Sequence, residues 1–271
     1  MGPCVGVLGL GLVGRALAER LVAASFEVEA FDPDVSKLTP AGVRRAAEAR
    51  EMTAGTVVVA VYDGAQAEQA LLDLNDRTTL CVTTCEPARA ERLAARYPGF
   101  IEAPVSGTSR EIREGSALCL LAGDAVRIES ARSVLDALFP RRVYIGAPGS
   151  AAKAKLGINL VLQLNRAALA EGLALASRMA VPEDAFLQVL RQSAASSAVM
   201  ESKGDKMVRR DYSPESRLAQ TLKDARLILD EARGAGQTLP LMETNLRLLE
   251  RAISLCGPDA DPSAIIESLR P

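Results

Sequence analysis

The feature that most constrains the fold lies near the N-terminus, where a short apolar run meets a glycine-rich turn. Residues 5–8 have the pattern of a buried strand, and residues 15–22 have that of an amphipathic helix. The residues between them form a G-x-G-x-x-G sequence: Gly9, Leu10, Gly11, Leu12, Val13 and Gly14. Gly9 allows a tight turn, Gly11 lets the backbone approach a pyrophosphate, and Gly14 lets helix and strand pack closely. The segment therefore predicts a dinucleotide site with the phosphates at the helix N-terminus.

A second predicted strand, residues 27–31, ends at Asp32, which lies 18 residues beyond Gly14. A carboxylate at this distance is expected to bind the ribose hydroxyls of the cofactor and to repel a 2′-phosphate. Since the next residue is a proline rather than an arginine, NAD is preferred over NADP. Three nearby cations would reverse this preference if the following loop folded back: Lys37, Arg44 and Arg45.

Apolar runs continue to alternate with helical patterns as far as Ile145, which gives seven or eight strands with helices between most of them. This alternation predicts an α/β fold with a doubly wound sheet. Loops that follow the strands of such a sheet face the ligand crevice. Four residues in these loops are candidates to line the cofactor, although each also fits an ordinary loop role: Tyr62, Asp63, Thr83 and Thr84.

The sequence changes character after Ile145, because no further strand pattern appears and the chain becomes rich in helical alanine and leucine. We therefore expect a dinucleotide-binding domain over residues 1–148 and an all-helical domain over residues 149–271. A long helix from about residue 150 to residue 180 joins them. The helical domain is expected to serve substrate binding and oligomerisation.

A polar loop before the junction offers several hydrogen-bond donors within a few residues. Ser106, Gly107 and Thr108 follow a turn that contains Pro104. Such a group of donors suits a small carboxylate. It equally fits a polar loop without a ligand.

Only six of the 32 basic residues are lysines, and the chain contains no histidine. Sites of the Ser-His-Asp and Cys-His types are therefore excluded. A lysine can release its proton, which an arginine cannot do. Lys155 lies among small residues in the predicted long helix, and Asn159 shares its face because the two are four residues apart. On these features alone, Lys155 is as consistent with a packing or surface lysine as with a catalytic one.

The composition argues against several other classes of function. The net charge of −2 gives no basic surplus for nucleic acid or an acidic membrane surface, and no charge-free apolar run of membrane-spanning length occurs. The five cysteines form no C-x-x-C pair, so we expect no metal site. Strand-like surroundings of three of them indicate buried thiols in a reducing compartment, and no basic leader precedes the first strand. We therefore expect a cytoplasmic protein that acts on a small molecule.

Four motifs, in order along the chain, resemble those of the β-hydroxyacid dehydrogenases, the group of 3-hydroxyisobutyrate dehydrogenase and tartronate semialdehyde reductase. The motifs are the glycine loop at 9–14, Ala103-Pro-Val-Ser-Gly107, the segment from Gly146 to Asn159, and Leu222-Lys-Asp224 with Leu239-Pro240. Ala151 stands where the third motif of the family has a glycine. Thr108 stands where the second motif is usually followed by another glycine.

This resemblance implies a Rossmann domain followed by an all-helical domain, in a protein that is often dimeric or tetrameric. It also implies hydride transfer between NAD(P) and a small 3-hydroxy acid or the matching semialdehyde, with Lys155 as the acid/base group. The implied substrate residues are Ser106, Gly107, Thr108 and Asn159. The implied cofactor residues include Thr84 and Lys223 besides the glycine loop. The semialdehyde and glyoxylate reductases of the family often use NADPH, whereas Asp32 favours NAD.

Two other kinds of protein share this architecture. One is an NADPH-dependent enzyme of the imine reductase type, and the other is a dinucleotide-binding scaffold without catalysis. Relatives of both kinds usually lack the lysine. The presence of Lys155 together with Asn159 therefore favours the hydroxyacid dehydrogenase reading.

Overall fold

The computed structural model describes residues 3–74 and 76–270. The ends of the two expected domains, at residues 1, 2 and 271, lie outside the described residues. The chain divides into two compact units between Lys155 and Leu156. Each unit is described by itself below.

The first unit is built around one sheet. Its strands within the described residues are β1 (Cys4–Leu8), β2 (Glu27–Phe31), β3 (Val43–Arg45), β4 (Thr56–Val59), β5 (Thr78–Cys81), β6 (Phe100–Glu102), β7 (Val105–Ser106), β8 (Leu118–Ala122) and β9 (Arg141–Gly146). Its helices are α1 (Leu12–Ala23), α2 (Gly64–Leu72), α3 (Pro87–Arg96), α4 (Ser109–Glu114), α5 (Ala125–Ser130) and α6 (Arg132–Leu138), with a 3₁₀ turn at Ala49–Glu51. This alternation confirms the predicted α/β class.

The first six strands are parallel and follow the order β3-β2-β1-β4-β5-β6. Strand β1 is central in this arrangement, since Val7 lies opposite Ala30 of β2 and Val58 of β4. The strand order reverses between β1 and β4, so the loops after these two strands diverge and leave a crevice at their carboxyl ends. The glycine loop follows β1 and therefore lies at this crevice.

Beyond β6 the sheet is no longer parallel. Strand β8 runs antiparallel to both β6 and β7, and β9 is parallel to β8. The sequence pattern could not reveal this change of direction, because a buried strand shows the same apolar run in either orientation. The sequence also did not predict β3, which has only three residues (Val-Arg-Arg) and thus no apolar run.

Apolar side chains fill both faces of the sheet. One cluster includes Val7, Leu17 and Leu135, and the other includes Val59, Leu71 and Leu93. All six are almost fully buried. Removing this much apolar surface from water is the main stabilising term for the unit, and it fixes the strand ends that carry the candidate site.

The second unit consists of helices joined by turns and loops, with no strand among its described residues. Helix α7 (Ser150–Arg178) begins in the first unit and continues into the second. The helices that follow are α8 (Glu183–Gln192), α9 (Asp205–Arg209), α10 (Leu218–Gly234) and α11 (Pro240–Cys256), with a π turn at Met200–Gly204 and a 3₁₀ turn at Pro262–Ser268. They enclose a core of their own that includes Leu173, Met207 and Ile265. Among the described residues, no helix has both the length and the apolar character needed to cross a membrane.

Candidate active site

The three glycines of the first motif differ in what the fold requires of them. Gly9 has a φ of +95°, and a Cβ there would overlap the carbonyl oxygen of Ala60. A Cβ on Gly14 would overlap the carbonyl oxygen of Gly9, whereas a Cβ on Gly11 would meet no protein atom within 4 Å. The local fold therefore requires a residue without a Cβ at positions 9 and 14. Gly11 leaves open space at the N-cap of α1, which fits the approach of a pyrophosphate.

The remaining residues of the glycine loop have distinct surroundings. The Leu10 side chain is only 3% exposed and belongs to the sheet core, while Leu12 and Val13 are half-buried in the first turn of α1. Only backbone groups of these three residues are thus expected to meet a phosphate. The backbone N–H of Leu10 already donates to the Asp32 carboxylate at 2.7 Å.

Asp32 follows β2 and connects two loops at the crevice. Besides the bond from Leu10, its other carboxylate oxygen accepts from the Asp34 backbone N–H at 2.9 Å. The three cationic residues that could reverse the NAD preference, Lys37, Arg44 and Arg45, all have protein partners in the structure. Arg44 pairs with Glu29, Lys37 lies 3.6 Å from the Asp34 carboxylate, and Arg45 donates to backbone carbonyls of the loop after Asp32.

The polar residues after β4 and β5 lie at the same edge of the parallel sheet. Tyr62 is 43% exposed, and Thr84 is buried. Two neighbours of these residues have structural bonds: Asp63 caps α2 by accepting from the Gln66 N–H, and the Thr83 hydroxyl bonds both the N–H and the carbonyl of Val61 at 3.1 Å.

The predicted substrate loop contains one residue whose bonds the sequence did not reveal. Thr108 is the N-cap of α4, and its hydroxyl accepts from the Glu111 N–H at 3.2 Å. In return, the Glu111 carboxylate accepts from the Thr108 backbone N–H at 2.7 Å. This capping box engages the Thr108 N–H with a carboxylate. Gly107 has a φ of +156°, and a Cβ there would lie 2.8 Å from that of Ala117, so the loop requires glycine at this position.

The start of α7 is bound to a carboxylate that the sequence analysis did not single out. Glu102, the last residue of β6, accepts hydrogen bonds from the backbone N–H groups of Gly149 and Ala152, the latter at 2.9 Å. Its side chain is 3% exposed, and burial raises its pKa. Acidic groups are favourable at a helix N-terminus, and here one satisfies two of the unpaired donors. A glutamate between the apolar pair Phe100-Ile101 and the Ala-Pro turn was the available signal.

The two lysines of α7 have opposite surroundings. The side chain of Lys153 is 63% exposed and pairs with Glu91 at 2.9 Å. Lys155 is only 6% exposed, and Asn159, one turn further along the same face, is 5% exposed. Ala151, which replaces a motif glycine, is fully buried.

Asn159 belongs to a buried polar cluster of the second unit. Its amide nitrogen donates to Asp224 at 3.0 Å, and the Lys223 ammonium lies 2.9 Å from the other oxygen of the same carboxylate. The structure thus joins two motifs that are 65 residues apart. In the sequence, Asp224 is part of the Leu222-Lys-Asp224 motif and has no predicted role. Its placement beside a lysine in a helical pattern was the signal available.

Comparison with known proteins assigns the chain to a family. Residues 4–146 match the family model for the NAD binding domain of 6-phosphogluconate dehydrogenase. Residues 149–269 match the model described as NAD-binding of NADP-dependent 3-hydroxyisobutyrate dehydrogenase. The chain belongs to the β-hydroxyacid dehydrogenase family. It is an NAD(P)-binding oxidoreductase that transfers a hydride between the cofactor and a hydroxy acid, as predicted.

Individual relatives are similar over almost their full length. The chain is 28% identical to glyoxylate/succinic semialdehyde reductase 1 of Arabidopsis thaliana, with 98% of each chain covered. It is 29% identical to the L-threonate dehydrogenase of Cupriavidus necator, covering 97% of this chain and 95% of that one. A crystal structure described as 3-hydroxyisobutyrate dehydrogenase from Salmonella typhimurium has a TM-score of 0.87 at 27% identity, covering 98% and 99%. The predicted Rossmann and all-helical architecture is thereby confirmed.

Proposed function

We propose that the enzyme oxidises a small 3-hydroxy acid with NAD, or reduces the matching semialdehyde, and that Lys155 carries the proton. The observation that carries this proposal is the burial of Lys155 on a helix whose neighbouring lysine, Lys153, is exposed. Without a histidine anywhere in the chain, a lysine is the natural group to exchange a proton at this place. Anchoring of the helix by Glu102 one turn earlier supports a fixed position for Lys155.

The residues at the crevice fit a dinucleotide. The open space at Gly11 supports its assignment to the pyrophosphate, and the position of Asp32 after β2, bonded to the glycine loop through Leu10, supports its assignment to the ribose hydroxyls. We assign the cofactor to the six residues of the glycine loop together with Asp32, Tyr62, Thr84 and Lys223. When bound, NAD(P) supplies the site that accepts or returns the hydride.

The preference for NAD rests on charge. Asp32 and Asp34 place two carboxylates on the loop after β2, and the nearby cations are engaged by protein oxygens. A 2′-phosphate would therefore meet negative charge without an available guanidinium. The expected measurement is a lower dissociation constant for NADH than for NADPH.

We assign substrate binding to Ser106, Gly107 and Asn159. Thr108 would contribute through its hydroxyl alone, because its backbone N–H is bonded to Glu111. In the oxidative direction neutral Lys155 takes the proton of the substrate hydroxyl, and in reduction protonated Lys155 returns it. Asn159 holds the substrate, and Asp224 fixes the Asn159 amide.

The test compares Lys155→Met with Lys153→Met, a matched change on the exposed face of the same helix. Lys155→Met should bind NADH as the wild type does and lose turnover by about 10²–10⁴-fold, the usual contribution of a proton-transferring group. Lys153→Met should keep wild-type turnover. The substrate panel comprises 3-hydroxyisobutyrate, L-threonate, glyoxylate, succinic semialdehyde and 2-hydroxy-3-oxopropionate. Substantial turnover in a folded Lys155→Met variant would refute the assignment.

We also propose a homodimer or homotetramer in the cytoplasm. Several apolar side chains of the second unit are exposed in the single chain, among them Leu175 at 60%, Met179 at 68% and Leu241 at 69%. Burial of such residues against another copy would remove apolar surface from water. The five free cysteines suit a reducing compartment. A monomeric mass from light scattering at micromolar concentration would refute the oligomer.

A further inference from the structure

The loop between β2 and β3 is held in one shape by its own side chains. The Asp34 carboxylate accepts from the Ser36 backbone N–H at 3.0 Å and from the Ser36 hydroxyl at 2.6 Å. The Lys37 N–H donates to the Asp34 carbonyl at 3.1 Å. Hydrogen bonds from Ser36 lower the pKa of Asp34, so this exposed carboxyl group is ionised at neutral pH. The loop thus presents a second negative charge two residues after Asp32.

Arg45, at the end of β3, binds four acceptors of this loop with its side chain. Its Nη2 donates to the carbonyls of Asp32 at 2.9 Å and Asp34 at 3.0 Å. Its Nη1 donates to the Lys37 carbonyl at 2.5 Å and to the Thr39 hydroxyl at 3.3 Å. The planar guanidinium, with two terminal nitrogens held apart, can span four acceptors in this way, which a lysine ammonium cannot reproduce.

The sheet fixes the position from which Arg45 reaches the loop. Arg45 is the last residue of β3 and is in register with Ala30 of β2, and the N–H of Ala46 donates to the Ala30 carbonyl at 2.9 Å. Neighbouring Arg44 points to Glu29 instead. Two adjacent arginines on one strand therefore have different roles, and only Arg45 contacts the loop that carries Asp32.

We propose that Arg45 is a positioning residue for cofactor selectivity. It holds the loop after β2 in the shape that turns the Asp32 carboxylate toward the ribose, and it is not itself a ligand for a 2′-phosphate. This inference rests on the proposed use of Asp32 at the ribose. The proposal has a specific consequence. Loosening the loop removes a favourable contact between Asp32 and the 2′-hydroxyl of NADH, whereas for NADPH it relieves the repulsion between Asp32 and the 2′-phosphate.

The test measures NADH and NADPH dissociation constants by isothermal titration calorimetry, since the chain has no tryptophan to report binding. The variants are Arg45→Ala, Arg45→Lys and, as the matched control, Arg44→Ala. Both Arg45 variants should raise the NADH dissociation constant about tenfold, the equivalent of about one hydrogen bond, and leave that of NADPH within about threefold. Arg44→Ala should bind both cofactors as the wild type does. Circular dichroism verifies that each variant is folded.

Four results would overturn the proposal. A larger loss for NADPH than for NADH would make Arg45 a phosphate ligand. Wild-type cofactor binding by the Arg45→Lys variant would reduce the role of Arg45 to its charge. Equal losses for both cofactors would show that Arg45 does not act on selectivity. Unchanged binding in both Arg45 variants would show that the loop needs no clamp. If the wild type binds NADPH more tightly than NADH, the proposed NAD preference is refuted. The role of Arg45 is tested separately, by comparing how much affinity the Arg45 variants lose for each cofactor.

Discussion

Removing the Glu102 carboxylate should weaken the helix that carries Lys155. In Glu102→Ala the N–H groups of Gly149 and Ala152 lose their acceptor in a buried environment. At about 1–3 kcal/mol for each unmatched donor, the cost is about 2–6 kcal/mol. Part of it is offset because the burial that raises the pKa of Glu102 also makes its ionised form unfavourable in the folded state. We therefore expect the free energy of unfolding to fall by about 2–4 kcal/mol at pH 7.

Glu102→Gln isolates the charge, since it keeps the shape and one acceptor oxygen. Its amide NH₂ would face one of the two donors, so the expected loss at pH 7 is about 1–2 kcal/mol. The pH dependence has a definite sign. Folding raises the pKa of this carboxyl group, so the native state binds its proton more tightly than the unfolded state does. This preferential proton binding stabilises the fold at low pH, and the stabilisation is lost as the pH rises through the raised pKa. The wild type should therefore gain stability over Glu102→Gln as the pH falls from 7 toward the ordinary glutamate pKa of about 4.3.

The assay is urea denaturation followed by far-UV circular dichroism at pH 7 and pH 5. Glu129→Gln is the control, because Glu129 pairs with Arg132 at the surface, with both side chains more than half exposed, and it should change the free energy of unfolding by less than about 0.5 kcal/mol. Wild-type stability in both Glu102 variants would refute the anchoring role. A difference between the wild type and Glu102→Gln that shrinks on acidification would refute the stated sign.

Three further substitutions test other parts of the molecule. Gly11→Ala should keep the wild-type melting temperature and lose NADH binding, whereas Gly14→Ala should lower the melting temperature because its Cβ would overlap the Gly9 carbonyl. Thermal melts measure the stability of both variants, and calorimetric titration measures their NADH binding. Retained NADH binding in Gly11→Ala would contradict the cofactor site. Lys203→Met should destabilise the second unit by about 3–5 kcal/mol, since it leaves the fully buried Asp261 carboxylate without the ammonium now 2.9 Å away. An unchanged urea midpoint for Lys203→Met would contradict this estimate.

Most of the fold could be predicted because its signals are local. The apolar run of β1, the glycines that follow it and the helical pattern of α1 lie within about twenty residues, and each follows from a periodicity or a backbone requirement. The long helix was expected near residues 150–180 and is observed at Ser150–Arg178. The direction of β8 was not predictable, since strand pairing depends on partners that periodicity does not specify.

The candidate site shows the same distinction between features with a local signal and features that depend on distant partners. The sequence placed Lys155 and Asn159 on one helix face, because that relation depends only on their four-residue spacing. The two-residue spacing likewise directs Lys153 away from the face of Lys155, toward solvent, as observed; the near-complete burial of Lys155 depends on packing that the alanine-rich pattern does not specify. The spacing of Thr108 and Glu111 is the sequence pattern of a capping box, so the bond between Glu111 and the Thr108 N–H had a local signal that the substrate-loop interpretation left unused.

The sequence by itself determined the class of fold, the dinucleotide loop and the residue types able to carry a proton and a cofactor. The tertiary structure decided which of them are held in place. Glu102 reaches the start of α7 across 47 and 50 residues, Asn159 meets Asp224 across 65, and Arg45 returns to Asp32 across 13. Local patterns report which backbone conformation a segment prefers. Which distant donor meets which acceptor is fixed only when the sheet and the helices pack, because the packed core sets the register of their ends.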